Sequence, residues 1–165
     1  MGTRIRRMIE PLTIWEMLLR AGLAALLGLA IGWDREKKEK AAGLRTMALV
    51  SLGAAGVMLC AHEIATQFAA QEVSLDPLRV ISGVVGGIGF LGAGAIIQSR
   101  GEIRGLTTAA SIWAAAGIGI ACGAGLFRLA FILCGVVLSI LVVVTALKGR
   151  VLPERQEPDE PPTDA

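Results

Sequence analysis

The chain has 165 residues, 54% of them hydrophobic and 18% charged, with a net charge of +2. Charges gather at the ends and in short connections while long stretches between them carry none, which marks a multi-pass membrane protein and leaves no room for a soluble catalytic domain. The mild charge and the lack of any RNA or DNA motif argue against a nucleic-acid partner, and Cys60, Cys122 and Cys134, odd in number and set in apolar stretches, argue against disulfides or a zinc site.

Crossing a hydrocarbon core takes roughly 20 apolar residues per helix, and stretches free of charge run over 21–33, 46–61, 80–99, 105–127 and 129–147. The prediction is an all-α membrane protein of about five transmembrane helices: an N-terminal segment 1–11, a membrane domain 12–148 and a tail 149–165. The first stretch is too short at about 1.5 Å per residue. Its helix must begin near Leu12 and carry Glu16 and Arg20, four apart and able to pair. An ionisable residue in a span is also a functional candidate. Trp15 and Trp33 fall at opposite ends of this helix, as interfacial indoles do. The second helix absorbs His62 and Glu63 at its far end.

Small residues recur every four positions at Ala24, Gly28 and Gly32, and again at Ser111, Ala115, Gly119 and Gly123. Such bare faces let backbones approach closely, within the chain or between copies of it. The third helix is rich in glycine, including Gly83, Gly86, Gly87, Gly89, Gly92 and Gly94. At about 1 kcal/mol each relative to alanine, these imply either tight packing or a locally unwound backbone whose carbonyls could meet a cation. The fourth helix holds Trp113, expected to pack. The Pro-rich acidic tail after Leu152 has no apolar periodicity and is expected to be disordered.

Residues 43–61 and 105–123 share six identities in nineteen positions, including Gly43, Leu44 and Thr46 against Gly105, Leu106 and Thr108. Helices 1 and 2 could thus repeat as helices 3 and 4 in parallel, with both Gly-Leu-x-Thr turns opening a helix. Amides at such helix starts favour an anion, which Asp34 or Glu36 could supply from within; the alternative is that Gly and Thr simply make good junctions. With the N-terminus outside and the C-terminus cytoplasmic, ten of the fifteen Lys and Arg residues outside the helices lie inside. Only Arg4, Arg6 and Arg7, ahead of the first helix, speak strongly against it.

The segments GWDREKKEKAAGLRT, GGIGFLGAGAII and RGLTTAASIWAAAGIGIACG resemble the MgtC/SapB family of bacterial membrane proteins, over about residues 21–147. Asp34, Arg35, Glu36, Gly43, Leu44, Arg45 and Thr46, the run 89–94 and the run 104–108 match its motifs. The resemblance implies a five-helix domain of the bacterial inner membrane linked to magnesium homeostasis, low-Mg2+ growth and virulence-associated survival inside host cells. It also implies partners in the bilayer, among them the F-type ATP synthase, and longer members that continue into a soluble cytoplasmic domain.

Asp34, Glu36, Arg45 and Arg104 are the candidate cytoplasmic charge cluster, able to pair or to hold an ionic ligand, or simply a solvated charged loop. No catalytic residues, no Walker loop and no nucleophile-base pair are apparent, so no enzyme activity is expected. No cofactor is expected; Mg2+ is conceivable, without an identified metal ligand set. Two functions compete: a regulator that contacts other membrane proteins or its own copies through bare helix faces, and a transporter or channel subunit for Mg2+ or another cation, which needs oxygen ligands.

Overall fold

The computed structural model describes residues 11–68, 76–99 and 102–151. Five helices among them are long and apolar enough to cross a membrane. They are α1 (Ile14–Lys37), α2 (Leu44–Phe68), α3 (Pro77–Gly94), α4 (Leu106–Gly123) and α5 (Phe127–Val151), with a short antiparallel pair β1 (Ile97–Ser99) and β2 (Glu102–Arg104) between α3 and α4. The chain is a multi-pass membrane protein, with Phe131, Ile132, Val136 and Ile140 of α5 among the large apolar side chains left exposed. In lipid such exposure carries no penalty, because acyl tails are as apolar as the side chains.

Local chemistry sets the boundaries. Thr13 caps α1: its hydroxyl accepts from the Glu16 amide, and the Glu16 carboxylate accepts from the Thr13 amide at 2.9 Å. Asp76 caps α3 by accepting from the Leu78 amide at 2.9 Å, with Pro77 at the first helical position. Gly105 opens α4 at φ 92° and Gly125 makes the α4–α5 turn at φ 75°, conformations that glycine adopts without strain.

The core seam joins α1, α2 and α4 through the two small-residue rows. A Cβ at Gly28 would stand 2.6 Å from the Met47 carbonyl oxygen, and one at Gly32 would stand 2.6 Å from Leu44 Cα. One at Gly123 would meet the Ala55 carbonyl at 2.6 Å, and one at Gly119 would run into the Ser51 carbonyl. Both rows are therefore intramolecular contacts. Gly28 and Gly32 meet α2 in reversed order, whereas Gly119 and Gly123 meet it in the same order, so α2 runs antiparallel to α1 and parallel to α4.

Several expectations need correction. The stretch 80–99 is not one helix, because α3 stops at Gly94 and the chain enters the hairpin, in which Ile97 pairs with Arg104. The glycines of α3 neither unwind it nor pack tightly. The helix is continuous; a Cβ at Gly87, Gly89 or Gly94 would have nothing within 4 Å, and one at Gly92 would touch only Ala109, at 3.8 Å. Trp113 is exposed. Glu16 and Arg20 do not pair: Glu16 serves the α1 cap, and Arg20 Nη1 donates to the Gly123 carbonyl at 2.9 Å, closing the end of α4. Arg4, Arg6, Arg7 and the tail beyond Val151 lie outside the described residues.

Candidate functional site

One end of the bundle gathers the last turn of α1, the start of α2, the hairpin and the start of α4. The buried face of α1 runs Ala24, Gly28, Ile31 and Arg35 at spacings of four, three and four, so the stripe that packs the core carries Arg35 inward at its last turn. Arg35 is 3% exposed. Its Nη2 donates to Thr108 Oγ1 at 2.8 Å, while its Nε has no hydrogen-bond partner among the described residues. Thr108 stands at the third position of α4, where the glycine at 105 provides no side-chain cap.

The loop after α1 curls back onto this arginine, with the Lys38 and Lys40 amides both donating to the Arg35 carbonyl, at 3.2 and 3.1 Å. Glu39 takes φ 51° to allow it. Lys38 Nζ reaches Asp34 Oδ1 at 2.8 Å and the Leu141 carbonyl at 2.8 Å, tying α1 to α5. A cleft of about 550 Å³ opens here, its lining including Arg35, Lys38, Lys40, Thr107 and Thr108 together with apolar residues of β2, α4 and α5.

The two carboxylates of the proposed charge cluster take different partners. Asp34 is committed to Lys38. Glu36 accepts from the Leu44 amide at 3.0 Å, filling the start of α2 from within, as one reading of its sequence position anticipated. Gly43 makes room for it, since a Cβ there would stand 2.8 Å from Glu36 Cδ. Arg45 and Arg104 are exposed. Of the helix-start threonines, Thr46 is exposed and Thr108 is buried against Arg35. At the start of α4 Gly105 makes no side-chain cap, and a buried arginine and two lysines line the cleft there. Arg35 was named from the sequence as a match to the family motifs but was left out of the candidate charge cluster, although it lies three residues beyond Gly32 on the same bare face.

The cap role of Glu36 makes a prediction. Glu36→Gln keeps an acceptor for the Leu44 amide and should melt near the parent, whereas Glu36→Ala should lose about 1 kcal/mol. Thermal unfolding of the detergent-solubilised chain checks this, and equal losses in both variants would mean that the carboxylate charge matters beyond the cap.

The MgtC family matches residues 22–150. Protein SapB of Bacillus subtilis is 39% identical over 118 residues, covering 70% of this chain and 51% of its own. An Escherichia coli K12 protein named "Putative magnesium transporter YhiD" is 41% identical over 129 residues, covering 78% and 59%. Protein MgtC of Salmonella typhimurium LT2 is 40% identical over 121 residues, covering 73% and 49%. The chain thus spans about half the length of the curated relatives it matches. No solved structure matches it. On the family match and these relatives, the chain belongs to the MgtC family.

Proposed function

We propose that the chain serves magnesium homeostasis in the bacterial inner membrane as a regulator of neighbouring membrane proteins, N-terminus outside and C-terminus cytoplasmic, and that it does not itself carry the ion. The observation that supports this best is the character of the buried polar groups. Among the described residues they are Arg35, Ser51, Thr108 and Ser111, none a carboxylate. Mg2+ sheds water reluctantly and asks for hard, preferably anionic oxygens, whereas the cleft at the end of the bundle is lined by Arg35, Lys38 and Lys40, which repel it. Between the two ends, α1, α2 and α4 meet backbone to backbone at Gly28, Gly32, Gly119 and Gly123.

A regulator needs an outward face on which another helix can lie. Helix α3 buries only Ile88, and a Cβ at Gly83, Gly86 or Gly87 would meet nothing within 4 Å. The name of the Escherichia coli relative favours the second reading, a transporter for Mg2+. Flux into proteoliposomes separates the two. The full chain should give no Mg2+ entry above that of empty vesicles, and Gly86→Leu should fold normally yet fail to support growth in low Mg2+. Saturable, protein-dependent Mg2+ entry would overturn the regulatory reading.

A further inference from the structure

The cleft at the Arg35 end holds more positive character than its packing requires. Arg35, 97% buried, forming no ion pair among the described residues and with an unpartnered Nε, lines the same space as Lys40 and the first turn of an 18-residue helix. We propose that this cleft is a binding site for a phosphate group, held by Arg35, Lys40 and the start of α4. The site stands apart from the regulatory reading above and does not depend on whether the chain passes Mg2+.

Buried donors are nearly always satisfied, and one left over is expensive. Nη2 of Arg35 is occupied by Thr108, so the remaining donor capacity of the guanidinium is what a ligand in the cleft would meet. Two nearby carboxylates are committed elsewhere: Asp34 to Lys38, and Glu36 to the amide that opens α2. Lys38 is itself spent on Asp34, the Leu141 carbonyl and Thr145, so it adds charge largely offset by Asp34. Lys40 is exposed and is set over the cleft by the bond from its amide to the Arg35 carbonyl.

The contrast between the two related helix starts sharpens the argument. At α2 the chain provides its own anion, Glu36; at α4 the glycine cap at 105 provides none, and an arginine and a lysine stand beside the opening. Helix N-terminal amides together with an arginine fork suit a phosphate, which accepts several donors at once. A cleft of about 550 Å³ is larger than the anion alone, and Ile103, Leu106, Ile140 and Val144 form an apolar wall beside the donors. That shape takes a phosphate ester with an apolar portion, such as a phospholipid headgroup, and it also admits free phosphate.

Isothermal titration of the full chain in dodecyl maltoside tests the site with three probes: inorganic phosphate, dioctanoyl-phosphatidylglycerol and the phosphate-free dioctanoylglycerol. One equivalent of a phosphate-bearing probe should bind saturably, about tenfold more weakly in Arg35→Gln and in Lys40→Gln, and equally well in Arg128→Gln, which changes an exposed residue at the opposite end. Binding of the lipid without phosphate identifies the headgroup as ligand, and binding of phosphate without the lipid identifies the free anion. The proposal is overturned if neither binds, if dioctanoylglycerol binds as tightly as the phospholipid, or if both variants bind like the parent. Should Arg35→Gln fail to fold, Lys40→Gln decides alone, since its side chain is exposed.

Discussion

Gly119→Leu is expected to yield no folded bundle, and Gly119→Ala to lose about 1–3 kcal/mol. A single added Cβ at this position would run into the Ser51 carbonyl, with the carbonyl carbon at 2.8 Å and Cα at 2.9 Å. All three are backbone atoms, so relief requires α2 and α4 to separate along their seam. In a membrane that separation loses the van der Waals contact that holds helices together, with little hydrophobic compensation available. Gly117→Ala is the control, because a Cβ there would meet nothing within 4 Å, and its melting temperature should stay near that of the parent. Thermal unfolding in detergent measures all three. Parent-like stability of Gly119→Ala would show that the seam is looser than its geometry. A growth defect of Gly119→Leu would then report a broken fold and not a lost partner; α3 is the place to look for a partner, because there a substitution can change the surface without touching the core.

What the sequence revealed and what it hid follow from the same physics. The rows at 24, 28 and 32 and at 111, 115, 119 and 123 were legible because close backbone approach admits only small residues, and both rows lie in the seam. Six glycines in α3 carried the same composition without the same meaning. Residue type shows that a neighbour could come close, but only the fold shows that none of its own helices does so at Gly87 or Gly89. The first strand of the hairpin was hidden at the end of an uncharged stretch, since hydropathy does not distinguish a helix from a strand leaving one. At the candidate site the helix starts at Gly43 and Gly105 were readable from Gly-Leu-x-Thr. Selecting charges by chemical type led to Asp34 and Glu36, one an ion-pair partner and the other a helix cap. Selecting by helix face would have led to Arg35, because its position continues the buried stripe.

Thr108→Val should destabilise the bundle by about 2 kcal/mol, the order of a hydrogen bond to a charged group, while Arg35→Met should lose less. The valine has nearly the shape of threonine, so its main effect is to remove the acceptor at 2.8 Å from Nη2 and leave a guanidinium buried without it. Methionine fills much of the same space and removes the buried charge, and with it the desolvation penalty that the hydrogen bond only partly offsets. In the Arg35→Met background, Thr108→Val should therefore cost almost nothing, and the coupling between the two sites should equal nearly the whole effect of the valine. Equilibrium unfolding of the four proteins in a detergent series completes the cycle. An Arg35→Met loss larger than that of Thr108→Val would mean that the arginine holds the end of the bundle together through its stem and its packing. The expected order means that stability does not require a charge at position 35, and it places the reason for that charge in what the cleft binds.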